Sequence, residues 1–308
     1  MSQNPSQQSQ QPVQTTGHVW DGDLQEFNNP LPTWWVYTFF ATVVFAVGYW
    51  LIYPAWPIGD SFTKGFDTIT YVDNSGKKVT THWNTRALYM EDMNKAAAFQ
   101  KPFFDKVMAT PYEQIAKDPE LENFVMATGH SLFENNCASC HQTGGQGLVG
   151  HYPNLTDDDW LYGGHYAQIN YTVTHGRHGY MPTFGEVLEP TQIDDLANYV
   201  ASLSGIPADP AKVAAGKQLF HSNTAGCFYC HGEQATGRHV IGAPNLTDQI
   251  WLWADVPAHH SAQGKIEAIR QVIYNGVNKG VMPAWGDRLS AVDIKVLTFY
   301  IHNLGGGQ

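Results

Sequence analysis

Hydrophobic and polar positions are ordered differently in different parts of this chain, and each ordering predicts a different element. From Trp34 to Tyr53 the sequence reads WWVYTFFATVVFAVGYWLIY, a run with no charged residue. A helix rises about 1.5 Å per residue, so a run of this length spans ~30 Å, the thickness of a bilayer's hydrocarbon core. Trp34, Trp35 and Tyr37 stand at one end and Tyr49, Trp50, Tyr53 and Trp56 at the other, where interfacial aromatic belts would lie. The pattern predicts a transmembrane helix over 34–53, bracketed by Pro32 and Pro54. A cleaved leader is not expected: the 33 residues before the run contain no Lys or Arg, the run is too long, and no small-residue cleavage site closes it.

Before this helix, residues 1–17 are rich in Gln, Ser and Pro and are expected to be disordered. After it, TITYVDNSGKKVTTHW alternates about an Asn74-Ser75-Gly76 turn and predicts a β-hairpin. The segment RALYMEDMNKAAAFQKPFF then predicts a helix ending near Pro102, because proline removes a donor and clashes with the preceding turn. No chemistry is visible in this stretch, which reads as a spacer or packing surface.

From about residue 124 the sequence repeats. One unit contains ATGHSLFENNCASCH, PNLTDDDW, HGYMPTFG and IDDLANYVASLSG; the other contains AAGKQLFHSNTAGCFYCH, PNLTDQIW, KGVMPAWG and VDIKVLTFYIHNLGG. Cys137 matches Cys227 at an offset of 90, Pro153 matches Pro244 at 91, and Met181 matches Met282 at 101. The second unit therefore carries about ten extra residues, placed around ADVPAHHSAQGK. Two units are too few for a solenoid, so these are tandem homologous domains joined by the linker Gly205–Pro210. Each reads as a short helix, a CxxCH turn, a Gly-rich loop, one or two middle helices, a Met-Pro loop and a closing helix. In the closing helices Leu196, Tyr199, Val200 and Leu203 share one face, as do Leu297, Tyr300, Ile301 and Leu304. The predicted fold class is mainly α: one N-terminal transmembrane helix followed by two tandem small helical domains. The expected organisation is a tail (1–33), the helix (34–53), a spacer (54–123) and two domains (124–206 and 207–308).

The repeated CxxCH decides the chemistry. The only cysteines are Cys137, Cys140, Cys227 and Cys230. A single zinc site built from both pairs would leave the duplicated surroundings of each pair unexplained, and 86 residues between the pairs is unlike a zinc ribbon. A thioredoxin-type dithiol needs a strand leading into a helix within an α/β fold, and no such pattern surrounds either motif. Covalent haem accounts for every residue: two thiols add to the vinyl groups, and the adjoining histidine lies under the iron. Cys137, Cys140 and His141 would hold one haem c, and Cys227, Cys230 and His231 a second, which makes the predicted fold one transmembrane helix followed by two tandem class I cytochrome c-like domains. Only Met181 and Met282 follow the first motif, each before a Pro in a Gly-flanked loop, and these are the expected sixth ligands. Met90, Met93, Met108 and Met126 read as core filler. His175, His178, His259 and His260 are rival ligands without repeat counterparts. His-Met ligation closes the iron to substrate, which suits electron transfer and argues against a haem enzyme such as a dihaem peroxidase.

Haem c is attached on the outer side of the bacterial inner membrane. The tail is therefore expected to be cytoplasmic and the part beyond the helix periplasmic, although Lys64 after the span and the absence of basic residues before it lean slightly the other way. The formal net charge of −11 argues against nucleic-acid binding and leaves a cationic partner open. Between 124 and 206 there are eight Asp or Glu against Arg177 alone, and between 207 and 308 seven acidic against eight basic residues. The first domain is the acidic one, and steering of a basic donor towards it is expected, with Asp157, Asp158 and Asp159 as the test positions.

The lead-in Trp20-Asp21-Gly22, Asn29-Pro30-Leu31-Pro32 and Trp34-Trp35, the single anchor and the two CxxCH domains together resemble the dihaem subunit of cbb3-type cytochrome c oxidases, the CcoP/FixP family. The resemblance runs from about His18 to Leu304. It implies a non-catalytic subunit that takes electrons from a soluble periplasmic cytochrome c. These would pass through two haems towards the monohaem subunit and the catalytic haem–copper subunit. It also allows an exchange of ligands, with Met181 serving the second haem and Met282 the first; spacing alone leaves both pairings open. The alternative is a free-standing, membrane-anchored dihaem cytochrome serving other periplasmic enzymes.

Overall fold

A computed structural model describes residues 14–305. The chain divides into two compact units, Met1–Phe99 and Gln100–Gln308.

The first unit opens with an antiparallel hairpin, β1 (Thr15–Trp20) with β2 (Leu24–Phe27). Its turn needs left-handed backbone, supplied by Asp21 (φ 52°) and Gly22 (φ 90°). This corrects the expected disorder at residues 15–17; of the rest of that expectation, residues 1–13 lie outside the described residues. Helix α1 (Thr33–Ile52) follows, and none of its residues is buried. Two of its threonine hydroxyls bond back to the helix, Thr38 Oγ1 donating to Trp34 O and Thr42 Oγ1 to Phe39 O, so mid-helix they present no free donor to lipid. A small hairpin, β3 (Pro57–Ile58) with β4 (Ser61–Phe62), is followed by β5 (Thr68–Val72) with β6 (Lys78–His82). The β5–β6 turn is tied by Asp73 Oδ1, which accepts from Ser75 N, Ser75 Oγ and Lys77 N.

Helix α2 (Thr85–Ala109) runs through Pro102 instead of ending there. A proline inside a helix costs about 3 kcal/mol. The turn beyond it carries Val107, fully buried with Ile115, Leu121, Val125, Val296 and Phe299, and Phe104 packed against that cluster. Burying such side chains returns about 1.5–3 kcal/mol each, enough to carry the helix past the break.

In the second unit, α3 (Tyr112–Ile115) precedes α4 (Pro119–Asn136), which is capped by Asp118 with Pro119 in its first turn. Then come α5 (Ala138–His141), α6 (Tyr166–His175), β7 (Arg177–His178) and α7 (Pro190–Leu203). The second repeat supplies α8 (Pro210–Phe220), α9 (Cys227–His231), α10 (Ala262–Asn275), β8 (Val281–Met282) and α11 (Ala291–His302).

The closing helices pack on the wrong repeat. Helix α7 lies on α8 and α10, whereas α11 lies on α4 and α6. Each crossing is close enough to require glycine. A Cβ on Gly129 of α4 would fall 2.5 Å from Tyr300 Cβ, and one on Gly216 of α8 would fall 2.1 Å from Asp195 O and 2.8 Å from Tyr199 Cβ. Two cores result. One, from Leu188 to Ile273, is continuous in sequence; the other joins Phe133, Ile169 and Val173 to Ile294, Leu297, Tyr300 and Ile301. Consecutive elements tend to be neighbours, and the short link between α7 and α8 leaves α7 beside the next helix. That link is pinned by Asn198 Oδ1, which accepts from Asp209 N, and by Ile206 N donating to Ala201 O.

Candidate cofactor sites

Each CxxCH motif forms a single helical turn, α5 or α9. His141 Nδ1 lies 3.1 Å from Pro153 O, and His231 Nδ1 lies 3.0 Å from Pro244 O. A carbonyl accepts only from an N–H, so Nδ1 carries the proton and Nε2 keeps a free lone pair. Burial lowers the pKa of both histidines, which favours the neutral, ligating form. Burial also pushes the Cys137 and Cys227 thiols up to about 11. Among the described residues no group of three or more His, Cys, Asp or Glu converges as a metal site.

The methionine loops cross between repeats as the helices do. Arg177 in β7 is the register partner of Met282 in β8, and Met181 bridges to Val277. Gly185 N donates to Tyr274 O at the end of α10, and Gly286 N donates to Thr174 O at the end of α6. A side chain on Gly176 would strike Met282 O at 2.4 Å, and one on Gly276 would strike Met181 O at 2.6 Å, so glycine lets each loop sit down on the other repeat. His178 Nε2 and Asn278 Oδ1, equivalent positions of the two repeats, lie 3.2 Å apart where the two loops meet.

A cavity of about 360 Å³ is lined by Cys137, Cys140, His141 and Met282, with apolar walls including Phe133, Ile169, Val173, Trp285 and Ile301. Met181 packs instead in the core that holds Cys227, Phe228, Leu246 and Trp251. The first pocket fits a haem. It brings an imidazole and a thioether together among apolar side chains, and its wall includes Trp160, whose buried Nε1 has no hydrogen-bond partner among the described residues. A buried N–H costs about 1–3 kcal/mol unless an acceptor arrives, and a propionate carboxylate is one. His175, His178, His259 and His260 do not line this cavity.

Sequence reasoning missed four of its wall residues: His151, Trp160, Arg177 and Arg288. The Trp160–Trp251 equivalence in the repeated PNLTD…W block was a signal for one of them. Of the three aspartates singled out for steering, only Asp158 is exposed, whereas Asp157 and Asp159 are half-buried. Desolvation pushes Asp159 up to about 6, with repulsion from Asp248 and Asp157 adding to it.

Comparison with known proteins gives this arrangement a family. Residues 12–60 match the N-terminal domain of cytochrome oxidase-cbb3, FixP. Residues 125–200 and 211–301 match cytochrome c oxidase, cbb3-type, subunit III. The cbb3-type cytochrome c oxidase subunit FixP of Azorhizobium caulinodans is 43% identical over 96% of this chain and 94% of its own length. FixP of Rhizobium etli is 41% identical over 96% of both chains. Subunit CcoP of Cereibacter sphaeroides is 39% identical over the whole of both. With its apolar helix over Thr33–Ile52, its tandem CxxCH repeats and these relatives, the chain belongs to the FixP/CcoP family, the membrane-anchored, electron-transferring cytochrome c subunit of cbb3-type oxidases.

Proposed function

We propose that the chain carries two haem c groups, one on Cys137 and Cys140 and one on Cys227 and Cys230, with crossed axial ligands. His141 and Met282 hold the first; His231 and Met181 hold the second. The observation that carries this reading is the seating of each Met-Pro loop against the other repeat's middle helix, Met282 in one cavity and Met181 beside Cys227. The haems supply one-electron chemistry. The protein fixes each proximal imidazole through a proline carbonyl, keeps water off the iron with apolar walls, and closes the sixth position with a thioether. Closed iron makes the subunit a carrier, with oxygen reduction left to the catalytic haem–copper subunit.

Electrons enter from a basic, soluble cytochrome c and leave towards the monohaem subunit. The acidity of the first repeat supports that entry point, through exposed Asp158, Glu186 and Glu189. The helix over Thr33–Ile52 holds the haem domains on the periplasmic side as a single-pass anchor. Covalent haem addition outside the inner membrane supports that orientation.

The test uses a chain in which Cys137→Ser and Cys140→Ser leave only the second haem. Met181→Leu should abolish the ferric methionine–iron charge-transfer band of that haem, and Met282→Leu should leave it intact. The opposite result would establish ligation within each repeat.

A further inference from the structure

The two sites are built alike, yet one wall differs in charge. Helix α6 is followed by Gly176-Arg177, and α10 by Gly276-Val277. The two positions are equivalent in space, since Arg177 pairs with Met282 and Val277 with Met181. A fixed cation thus stands opposite the methionine of the first pocket, where the second has a buried aliphatic side chain. Six residues beyond each methionine the contrast recurs, with Arg288 in one loop and Val187 in the other.

Arg177 is held rigidly. Its guanidinium carbon lies 4.3 Å from the centre of the Tyr162 ring and 4.8 Å from that of Tyr171. Its Nε donates to Thr172 Oγ1 at 3.0 Å. Tyr162 is in turn wedged against the second repeat, for a Cβ on Gly242 would fall 2.2 Å from its ring. Arg177 is half-buried and is the only Lys or Arg of the first repeat. Among the described residues no carboxylate lies within ion-pair distance of it. A half-buried cation without a counter-charge is unfavourable, and its remaining donors are free for an anion. The cavity it lines is the place for one.

We propose that Arg177, clamped between Tyr162 and Tyr171, pairs with a carboxylate of the first haem and biases that haem towards its reduced state, a bias the second haem lacks because Val277 stands in its place. The sign follows from Coulomb's law: reduction removes one positive charge from the iron, so a nearby cation favours the reduced form. Asp159, on the same wall, acts in the opposite sense. Arg177 is a positioning and charge-setting residue for electron transfer, and the inference rests on the two-haem reading above.

The experiment is a spectroelectrochemical titration of the full-length holoprotein, wild type against Arg177→Leu and Val277→Arg, with covalent haem per chain measured on the same samples. In Arg177→Leu the reduced-to-oxidised ratio of one haem should fall about tenfold at a fixed potential, which is about 59 mV for one electron, while the other haem stays unchanged. Val277→Arg should move the other haem in the opposite direction. Arg177→Lys, which keeps charge but not the stacked fork, should fall between wild type and leucine. Two haems per chain with neither or both shifted equally by Arg177→Leu would overturn the role of Arg177. A content other than two haems per chain would overturn the two-haem reading, and this inference with it.

Discussion

The two cores of the haem unit share one local sequence plan but differ in how the chain enters them. One is continuous from Leu188 to Ile273; the other is assembled from α4–α6 and, more than a hundred residues later, α11. Their pockets differ too. Arg177 and Asp159 line the first pocket, and their counterparts in the second repeat are Val277 and Ile250. Duplication therefore fixed the helices and the ligand types, while connectivity and a few wall residues made the two halves unequal.

The largest effects should come from the helix crossings. Gly216→Ala places a Cβ 2.1 Å from a main-chain oxygen that cannot move alone, and Gly129→Ala places one 2.5 Å from Tyr300 Cβ. Each should cost about 3 kcal/mol or more, with Gly216→Ala the worse, as measured by denaturant unfolding of the holoprotein. Equal losses, or losses below about 1 kcal/mol, would mean that the crossings are looser than described.

A smaller effect separates the two pockets by pH. Burial raises the Asp159 pKa from 3.8 to about 6 in the folded chain. A carboxyl with a raised folded pKa keeps its proton in the fold at pH values where the unfolded chain has lost it. Stability should fall as pH rises from about 4 to about 6 and level off above. Asp159→Asn should flatten that slope and stabilise the protein at neutral pH, whereas Ile250 gives the other pocket no such dependence. An unchanged pH–stability curve in Asp159→Asn would refute this. The smallest effect should follow from doubling the six-residue link 204–209, about 0.6 kcal/mol by loop entropy, because the pairing of α7 with α8 survives a longer tether.

Much of this was legible in the residues. The α1 span, the β5–β6 hairpin, the repeat blocks and the buried faces around Tyr199 and Tyr300 follow from periodicity and turn chemistry. The crossing of the closing helices did not, because both repeats offer a glycine on the first helix and a tyrosine on the last. Gly129 and Gly216 accept either tyrosine by type, so only the link and the loop contacts choose between them. Pro102 was read as a stop because burial of Val107 depends on residues far away in sequence. The β1–β2 turn was legible and overlooked: Asp21-Gly22 is a hairpin signal hidden by the polar tail before it. Arg177 looked like a solitary charge because its clamp comes from Tyr162 and Tyr171, and its contrast with Val277 needs the register of β7 and β8.

The interleaved helices also set an order in time. A chain emerging from its N-terminus delivers the first CxxCH early, but its core lacks α11, and its pocket lacks Met282, until nearly the whole protein has arrived. The continuous core can close while that first pocket still gapes. The site that is made first is sealed last, as an outer bracket closes after an inner one, and it stays accessible to whatever must load it for the longest interval.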